Sequence, residues 1–352
     1  MSDSLDERIE AIAATSDRWQ DPEYPPRAET VEKTLEEDNR FTEQAIAFAI
    51  NQQMSLLSPE ALRAWIGERQ AASPGTVGVL NAGNIPMVGL QDFLAVVLTG
   101  HRYMGSVSSK SPYLLPAFVT DLRNDFPGLD AQFVDDASEL FAGAEVLIAT
   151  GSDDTARWAE SQCDEHDIPP ERRFIRGHRY SVAVIDGNES EDEREGLAED
   201  ALLHEGYGCR NVAIIWASRD LNPDSYLHAF ALFRGVFPTH PEMPGSLEMQ
   251  QAFLDATDQS HAYGEGLEFL LSRGEPEPQR PGHVRWSEYD AVDEAAEWIE
   301  QHQDEIQLVV ARPHLADRLP AVRPIVSPGH AQRPSLDWAP DGKDTIEFLV
   351  SL

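Results

Sequence analysis

The 352-residue chain has 62 acidic residues against 27 lysines and arginines, which gives a formal net charge of −35. Its 41% hydrophobic content is sufficient for packed cores, so a disordered chain is excluded, and its length favours two domains. The acidic residues are dispersed, which favours a surface adapted to high salt over an acidic recognition face. No basic patch is visible in the sequence, and nucleic-acid binding is therefore disfavoured.

The N-terminus is acidic and lacks the basic and apolar regions of a signal peptide, and no apolar run is long enough to cross a bilayer. A cytoplasmic protein without an integral membrane segment is expected. Up to about Ala72 the sequence predicts helices with polar connections. Thr42–Leu57 has a helical apolar spacing, and Ser58 is a plausible cap for a helix with Pro59 in its first turn.

From Thr76 onward, short apolar strands are each followed by a Gly, Asn or Ser turn and a helix. This alternation is typical of parallel, doubly wound sheets, which bind ligands at the carboxyl ends of their strands. Polar turns follow Leu80 and Ile148 at such ends. The charged stretch Asn188–Glu195 is predicted to be a surface connection. The predicted parts are an N-terminal helical segment (1–72), a first α/β domain (73–200), a second α/β domain (201–325) and a C-terminal tail that returns to the first domain (326–352).

The sequence has two cysteines, Cys163 and Cys209, and a structural disulfide is not expected in a reducing compartment. Cys209 follows Gly206-Tyr207-Gly208, where glycines let the backbone approach a bound group and N–H groups can face an oxyanion. A nucleophile and a small residue that fills a tight turn are both compatible with this pattern. Cys163, in an amphipathic helix, is predicted to be a filler. No metal is predicted, because no Cys, His or carboxylate grouping has metal-ligand spacing.

Two further turns hold candidate site residues. Asn84, in the turn 81–86, has an amide that donates to an oxyanion without carrying charge, although Asn and Gly also dominate turns for conformational reasons. The turn 150–152 begins a helix whose N–H groups could meet a cofactor. That turn lacks a G-x-G-x-x-G pattern, and its simpler interpretation is a helix N-cap at Ser152 or Asp153.

In order along the chain, three segments resemble the aldehyde dehydrogenase superfamily, and specifically its acyl-CoA reductase branch of the LuxC type. GNIPMVGLQDFLAVVLTGHRYMGSVSSKSP resembles a strand–turn–helix–strand unit of that branch. IATGSDDTARWA resembles the turn and helix beside the nicotinamide, and EGYGCRNVAIIW resembles the segment of the catalytic cysteine. The terminal SPGHAQRPSLDWAPDGKDTIEFL also resembles the end of that branch.

The resemblance implies an aldehyde dehydrogenase-like α/β fold in which the first domain binds the cofactor and the second is catalytic. It places Cys209 at the catalytic thiol and Asn84 at the oxyanion-hole asparagine. NADPH is the expected cofactor, with NADH possible, and a homo-oligomer is expected on resemblance only. Ser106 stands where many relatives have a lysine that helps to hold the adenosine ribose. The implied cofactor contacts are Ser106, Ser108, Lys110, Thr150, Gly151 and Ser152.

Hydrolytic aldehyde dehydrogenases keep a general-base glutamate at a position that falls near Ile175, where this sequence has no carboxylate. Hydrolysis of an enzyme thioester needs a base that activates water, whereas reduction of a thioester does not. The expected reaction is therefore NAD(P)H-dependent reduction of an acyl-CoA, expected to be fatty, to the aldehyde through a thioester on Cys209. A non-redox cysteine acyltransferase or thioesterase and a non-catalytic subunit are the alternatives. The acyl chain length and the general acid or base, with His178 and His204 considered, stay open.

Overall fold

A computed structural model describes residues 4–37 and 40–352. The chain divides into two compact units, Met1–His178 with Ser335–Leu352, and Arg179–Pro334. The sequence placed this division after residue 200, whereas it falls between His178 and Arg179. The reason is strand pairing: Tyr180–Ile185 lies between two strands of the second sheet and is parallel to both.

Four helices precede the first strand within the described residues, and they belong to the core of the first unit. Trp19 packs edge-on against Phe118 and donates from Nε1 to Asp121 Oδ2 at 2.9 Å. The predicted cap at Ser58, with Pro59 following, is confirmed. These helices are α1 (Leu5–Gln20), α2 (Pro25–Glu36), α3 (Glu43–Met54) and α4 (Pro59–Ile66).

The first sheet is parallel throughout, with the strand order β3-β2-β1-β4-β5, and helices cover both of its faces. Gly78 of the central strand has no side chain, and this allows the helix before Ala144 to pack closely. A Cβ added at Gly78 would lie only 2.7 Å from Ala144 Cβ. The strands are β1 (Thr76–Leu80), β2 (Arg102–Ser106), β3 (Ala131–Val134), β4 (Val146–Thr150) and β5 (Arg173–Arg176). The helices between them are α5 (Leu90–Thr99), α6 (Leu114–Asp125), α7 (Ala137–Gly143) and α8 (Asp153–Glu165).

The second sheet has the order β12-β11-β6-β7-β10-β9-β8, and only the β8–β9 pair is antiparallel among its described strands. Its strands are β6 (Tyr180–Ile185), β7 (Val212–Ser218), β8 (His261–Tyr263), β9 (Leu270–Arg273), β10 (His283–Tyr289), β11 (Ile306–Ala311) and β12 (Ile325–Val326). Its helices are α9 (Glu191–Leu202), α10 (Asp224–Val236), α11 (Met243–Ala256), α12 (Val292–Gln301) and α13 (Pro313–Ala316). The two parallel-sheet units confirm the predicted α/β class.

The predicted surface connection at Asn188–Glu195 is wrong in its second half, because α9 begins there. Ser190 Oγ accepts the Glu193 N–H at 3.2 Å, and Glu193 Oε2 accepts the Ser190 N–H at 2.7 Å. This reciprocal capping box satisfies two N–H groups that the helix cannot bond internally. Three acidic residues in the first turn also favour the N-terminal end of the helix dipole.

The last segment, with helix α14 (Thr345–Val350), belongs to the first unit. The ring of His101 links it to the sheet: its Nδ1 accepts the Gly75 N–H at 3.1 Å, and its Nε2 lies 3.0 Å from the Leu349 carbonyl. Since Nδ1 is an acceptor, Nε2 bears the proton and donates it. Arg69 forms an ion pair with Asp344 at 2.9 Å.

Two helical glycines of the second unit should respond oppositely to alanine. A Cβ at Gly196 of α9 would lie 2.7 Å from the backbone nitrogen of Gly329, whereas a Cβ at Gly235 of α10 would meet no atom within 4 Å. Gly196→Ala should lower the free energy of unfolding by about 1–3 kcal/mol through overpacking. Gly235→Ala should raise it by about 0.5 kcal/mol, because alanine loses less backbone entropy in a helix.

Guanidinium unfolding of both variants beside the wild type measures these shifts. Equal stability of Gly196→Ala and the wild type would contradict the predicted clash, because it would show that the backbone around Gly329 moves aside without loss of free energy.

Candidate active site

Asn81 fixes the turn that follows β1. Its backbone N–H donates to the carbonyl of Ser106 at 3.0 Å, and its Nδ2 donates to the hydroxyl of Tyr103 at 3.0 Å. A Cβ added at Gly89 would lie 1.9 Å from Asn81 Oδ1, so the turn closes tightly onto this side chain. Asn84 lies half-buried within the turn that Asn81 anchors.

Strand β1 lies between β2 and β4, so three turns begin at one edge of the first sheet. Leu80, the last residue of β1, pairs with Ser106 of β2 and with Ala149 of β4. The turns after these parallel strands share the carboxyl edge, where open α/β sheets bind ligands. This edge brings together the first-unit residues that the sequence singled out. They are Asn84, Ser106, Ser108, Lys110, Thr150, Gly151 and Ser152.

The turn after β2 offers its polar groups at different depths. Ser106 is buried at the end of the strand, Ser108 is half-buried and Lys110 is exposed. Ser108 Oγ accepts the Lys110 N–H at 3.3 Å. A Cβ at Gly83 would lie 2.3 Å from Ser108 Oγ, so the turns after β1 and β2 are in contact. Lys110 is therefore a positive group at the rim of this edge.

The third turn leads into α8, and Ser152 is the N-cap of that helix. Ser152 Oγ accepts a backbone N–H of the first turn at 3.2 Å, which confirms the N-cap interpretation. Asp153 Oδ1 accepts the His178 N–H at 2.8 Å, and Asp154 forms an ion pair with Arg157. These contacts reduce the repulsion that the two carboxylates would exert on a nearby phosphate.

Cys209 lies half-buried in the turn that precedes β7, in the second unit. Asn211 closes this turn: the Gly208 N–H donates to Asn211 Oδ1 at 2.8 Å, and the Asn211 N–H donates to the Gly208 carbonyl at 3.0 Å. Ser181 Oγ donates to the carbonyl of Cys209 at 3.0 Å. The backbone of the cysteine is thereby fixed to the amino ends of β6 and β7.

Asn211 also attaches the cysteine turn to the end of α9. Its Nδ2 lies 3.1 Å from the carbonyl of Asp200, 3.3 Å from that of Ala201 and 2.8 Å from that of Leu203. The last carbonyls of a helix have no partner within the helix, and this amide supplies one. One side chain therefore joins the helix, the cysteine turn and the following strand.

Arg210 places a buried positive charge next to Cys209. Burial lowers the pKa of the Arg210 guanidinium to about 10, and its interactions with Cys209 and Asp200 oppose that shift. The group is therefore charged at neutral pH, and a neighbouring cation favours the nucleophilic thiolate. Burial lowers the pKa of His204 to about 4, so this histidine is neutral at pH 7 and does not supply such a charge.

Cys163 differs from Cys209 in its surroundings. It is fully buried in α8, in a cluster that includes Leu140 and Phe141, and burial raises the pKa of its thiol to about 11. A buried, protonated thiol behaves as a small apolar residue. The prediction of a filler is confirmed.

Asp200 connects the end of α9 to the segment around Gly329. Its two oxygens accept the Gly329 N–H at 2.7 Å and the Ala331 N–H at 2.9 Å. Burial raises the pKa of the Asp200 carboxyl to about 7, although these hydrogen bonds act in the opposite direction. The carboxyl group that joins the end of α9 to the segment around Gly329 therefore titrates near neutral pH.

Sequence reasoning did not single out Asn81, Asp200 or Asn211. A signal existed for the two asparagines, because Asn81 directly follows one strand and Asn211 directly precedes another, where side-chain amides often bond the backbone. No local signal marks Asp200, because its partners lie 129 and 131 residues away in the sequence.

Across residues 4–37 and 40–352, no three His, Cys, Asp or Glu side chains form a group that could hold a metal ion. In the same described ranges, no helix combines the length and the apolar character needed to span a membrane.

The fold is that of the aldehyde dehydrogenases. Aldehyde dehydrogenase 21 from Physcomitrella patens, solved with the product succinate, matches with a TM-score of 0.74 at 12% identity, over 99% of this chain and 84% of its own. HpcC from Thermus thermophilus matches with a TM-score of 0.71 at 12% identity, over 93% of this chain and 74% of its own. Indole-3-acetaldehyde dehydrogenase from P. syringae, solved with NAD+, matches with a TM-score of 0.69 at 13% identity, over 92% of this chain and 76% of its own. No family model matches the chain.

Two curated proteins resemble the chain in sequence. Long-chain acyl-protein thioester reductase 2 of Photobacterium leiognathi is 24% identical over 180 residues, which is 45% of this chain and 36% of the relative. Long-chain acyl-protein thioester reductase of Aliivibrio fischeri is 26% identical over 167 residues, which is 43% of this chain and 34% of the relative. The matches span about a third of the length of these relatives. They confirm the resemblance to the LuxC-type branch.

Asp200→Asn should alter how stability depends on pH. The pKa of Asp200 rises from 3.8 to about 7 on folding, so the stability contributed by its proton is present below about pH 4 and lost as pH rises through about 7. Between pH 5 and pH 8 the free energy of unfolding of the wild type should fall, relative to that of the variant, by on the order of 2 kcal/mol. Guanidinium unfolding of both proteins at the two pH values measures the change. A pH-independent difference between them would contradict the assignment.

Proposed function

We propose that the chain reduces an acyl thioester, such as a fatty acyl-CoA, to the aldehyde with a reduced nicotinamide cofactor, and that Cys209 is the nucleophile. The observation that carries the proposal is the cysteine turn itself: a half-buried thiol fixed by Asn211 and Ser181, with the buried Arg210 cation beside it. Most structural cysteines are fully buried and lack such a setting. The aldehyde dehydrogenase fold and the thioester reductase relatives support the same chemistry.

The chemistry of the carboxyl edge of the first sheet favours a nicotinamide nucleotide as the cofactor. Its donor set consists of serine and threonine hydroxyls, which suit ribose hydroxyl groups, and the Lys110 ammonium, which suits a phosphate. Asp153 accepts the His178 N–H and Asp154 pairs with Arg157, so their carboxylates repel an anion at that edge less strongly. Residues Ser106, Ser108, Lys110, Thr150, Gly151 and Ser152 are the proposed contacts, and NADPH, with NADH as the alternative, is the proposed cofactor.

In the proposed mechanism the Cys209 thiolate attacks the carbonyl carbon of the acyl thioester. The carbon–sulfur bond to coenzyme A breaks, the coenzyme leaves as a thiolate that takes a proton, and the acyl group stays on Cys209. A reduced nicotinamide, held by the proposed contacts at the carboxyl edge of the first sheet, would supply the hydride to the acyl carbon. Collapse of the resulting thiohemiacetal releases the aldehyde and restores the Cys209 thiolate, which Arg210 stabilises.

Negative charge develops on the carbonyl oxygen in both carbonyl steps. The backbone N–H of Cys209 is one proposed donor to this oxygen. The resemblance assigns Asn84 as a second donor. By the resemblance, the position of the glutamate in hydrolytic relatives falls near Ile175 of β5, and RFIR, the sequence of this strand, contains no carboxylate. The lack of a water-activating base at this position favours reduction over hydrolysis of the acyl-enzyme.

Cys209→Ser should abolish oxidation of NADPH or NADH that depends on added acyl-CoA, because an alkoxide is not available at neutral pH to replace the thiolate. Absorbance of the reduced cofactor, followed in molar salt with long- and short-chain acyl-CoA, measures the reaction. Cys163→Ser is the matched control and should retain full activity. Release of coenzyme A that requires Cys209 without cofactor oxidation would replace the proposal with a thiol acyltransferase or hydrolase.

Asn84→Ala should lower kcat by about a hundred- to thousandfold, because one donor to the oxyanion is lost. Cofactor binding, followed by quenching of protein fluorescence, should stay unchanged. Turnover at the wild-type rate would remove Asn84 from the mechanism.

A further inference from the structure

Three consecutive residues on the approach to Cys209 have a left-handed backbone. The φ angles are 53° at His204, 57° at Glu205 and 76° at Gly206. Glycine adopts this region readily, but residues with a Cβ do so at a cost, and consecutive examples are rare. Such a segment persists only where its surroundings hold it. It ends three residues before Cys209.

Glu205 is held by an unusually complete set of donors. The residue is 4% exposed, and its carboxylate accepts Arg234 Nη2 at 2.9 Å and Nη1 at 3.3 Å. It also accepts the Thr239 hydroxyl at 2.7 Å and the His240 N–H at 3.2 Å. A buried carboxylate is stable only when it is paired and hydrogen-bonded in this way. The anchor fixes the left-handed segment to the end of α10 and to the connection that follows it.

The segment between this anchor and the cysteine has little freedom. A Cβ at Gly206 would lie 3.0 Å from the backbone nitrogen of Gly282, and the Tyr207 N–H donates to the His204 carbonyl at 3.0 Å. On the other side of Cys209, Asn211 fixes the turn to α9. The thiol therefore lies between two anchored points.

We infer that Glu205 is a positioning residue for Cys209: its buried pairing with Arg234 holds the left-handed segment and thereby sets the Cys209 thiol relative to the Arg210 guanidinium. The inference rests on the proposed role of Cys209 as nucleophile. Glu205 does not act on substrate. Its effect is on the placement of the thiol.

The test separates placement from stability through two variants. Glu205→Gln leaves Arg234 buried without its counter-charge and should lower both the melting temperature and kcat. Glu205→Gln with Arg234→Gln removes both charges, which restores much of the stability that a lone buried charge costs. In this double variant the melting temperature should recover while kcat stays about ten- to a hundredfold low, with KM nearly unchanged, because misplacement of a reacting group slows chemistry to that extent. Recovery of kcat together with the melting temperature would overturn the inference.

Glu189→Gln is the matched control. Glu189 is also a buried carboxylate of the second unit, and it accepts the Asp186 N–H at 3.1 Å and the Gly187 N–H at 2.9 Å. It precedes the opposite end of α9 from the cysteine turn. This variant should lose stability while the kcat of the folded protein stays at the wild-type value. An equal loss of kcat in Glu189→Gln would show that the loss of any buried carboxylate of this unit lowers kcat, and it would overturn the specific role of Glu205.

A second readout does not depend on reductase activity. On a Cys163→Ser background, iodoacetamide reports the reactivity of Cys209 alone. The double variant should be alkylated about three- to tenfold more slowly at pH 7, because displacement from Arg210 raises the pKa of the thiol. An unchanged rate overturns the placement inference. Absence of cofactor oxidation by the wild type would instead overturn the proposed function and leave the alkylation result as the test of placement.

Discussion

The side-chain amide of Asn211 is the constraint on which the geometry of the cysteine turn depends. Its oxygen accepts the Gly208 N–H, while its Nδ2 reaches the carbonyl groups at the end of α9. The amide is well suited to this task, because it offers a donor and an acceptor and has no charge to desolvate. An aspartate there could accept but not donate, and the helix carbonyls would lose their partner. The position of Cys209 follows from these bonds together with that of Ser181.

Several of the buried charged residues of the second unit lie at or near this turn. Arg210, Asp200 and the pair of Glu205 with Arg234 are all buried, although burial of a charge is costly and the chain has a formal net charge of −35. Each carboxylate has several donors to offset that cost. Among the described residues no cation is bonded to Asp200, unlike Glu205, and burial raises the pKa of Asp200 to about 7. The segment before the turn is thus held by a carboxylate that an arginine neutralises. The Asp200 carboxyl, which titrates near neutral pH, instead holds the segment around Gly329 against the end of α9.

The sequence predicted those parts of the protein that depend on local pattern. Alternating strands and turns placed Asn84 and the turn 150–152 at carboxyl strand ends, and pairing of β1 with β4 brings these turns to one edge. The domain boundary at residue 200 was wrong, because the apolar pattern of β6 does not indicate which sheet the strand joins. Glu205 and Arg234 were not predicted as a pair, since 29 residues separate them and each resembles a surface residue in isolation.

The cysteine illustrates a different limit of sequence reasoning. The rule that ligands bind at carboxyl ends of parallel strands applies to the first sheet, where the proposed cofactor contacts lie at the ends of β2 and β4 and Asn84 follows β1. Cys209 instead precedes β7, at the amino end of its strand. The rule therefore does not point to it, and the proposal of Cys209 as nucleophile depended on the resemblance of one short segment. What distinguishes Cys209 from Cys163 physically is the combination of partial exposure, a fixed backbone and a neighbouring buried cation. The fixed backbone in turn depends on residues outside the turn, since Ser181 and the carbonyl groups of α9 provide the fixation.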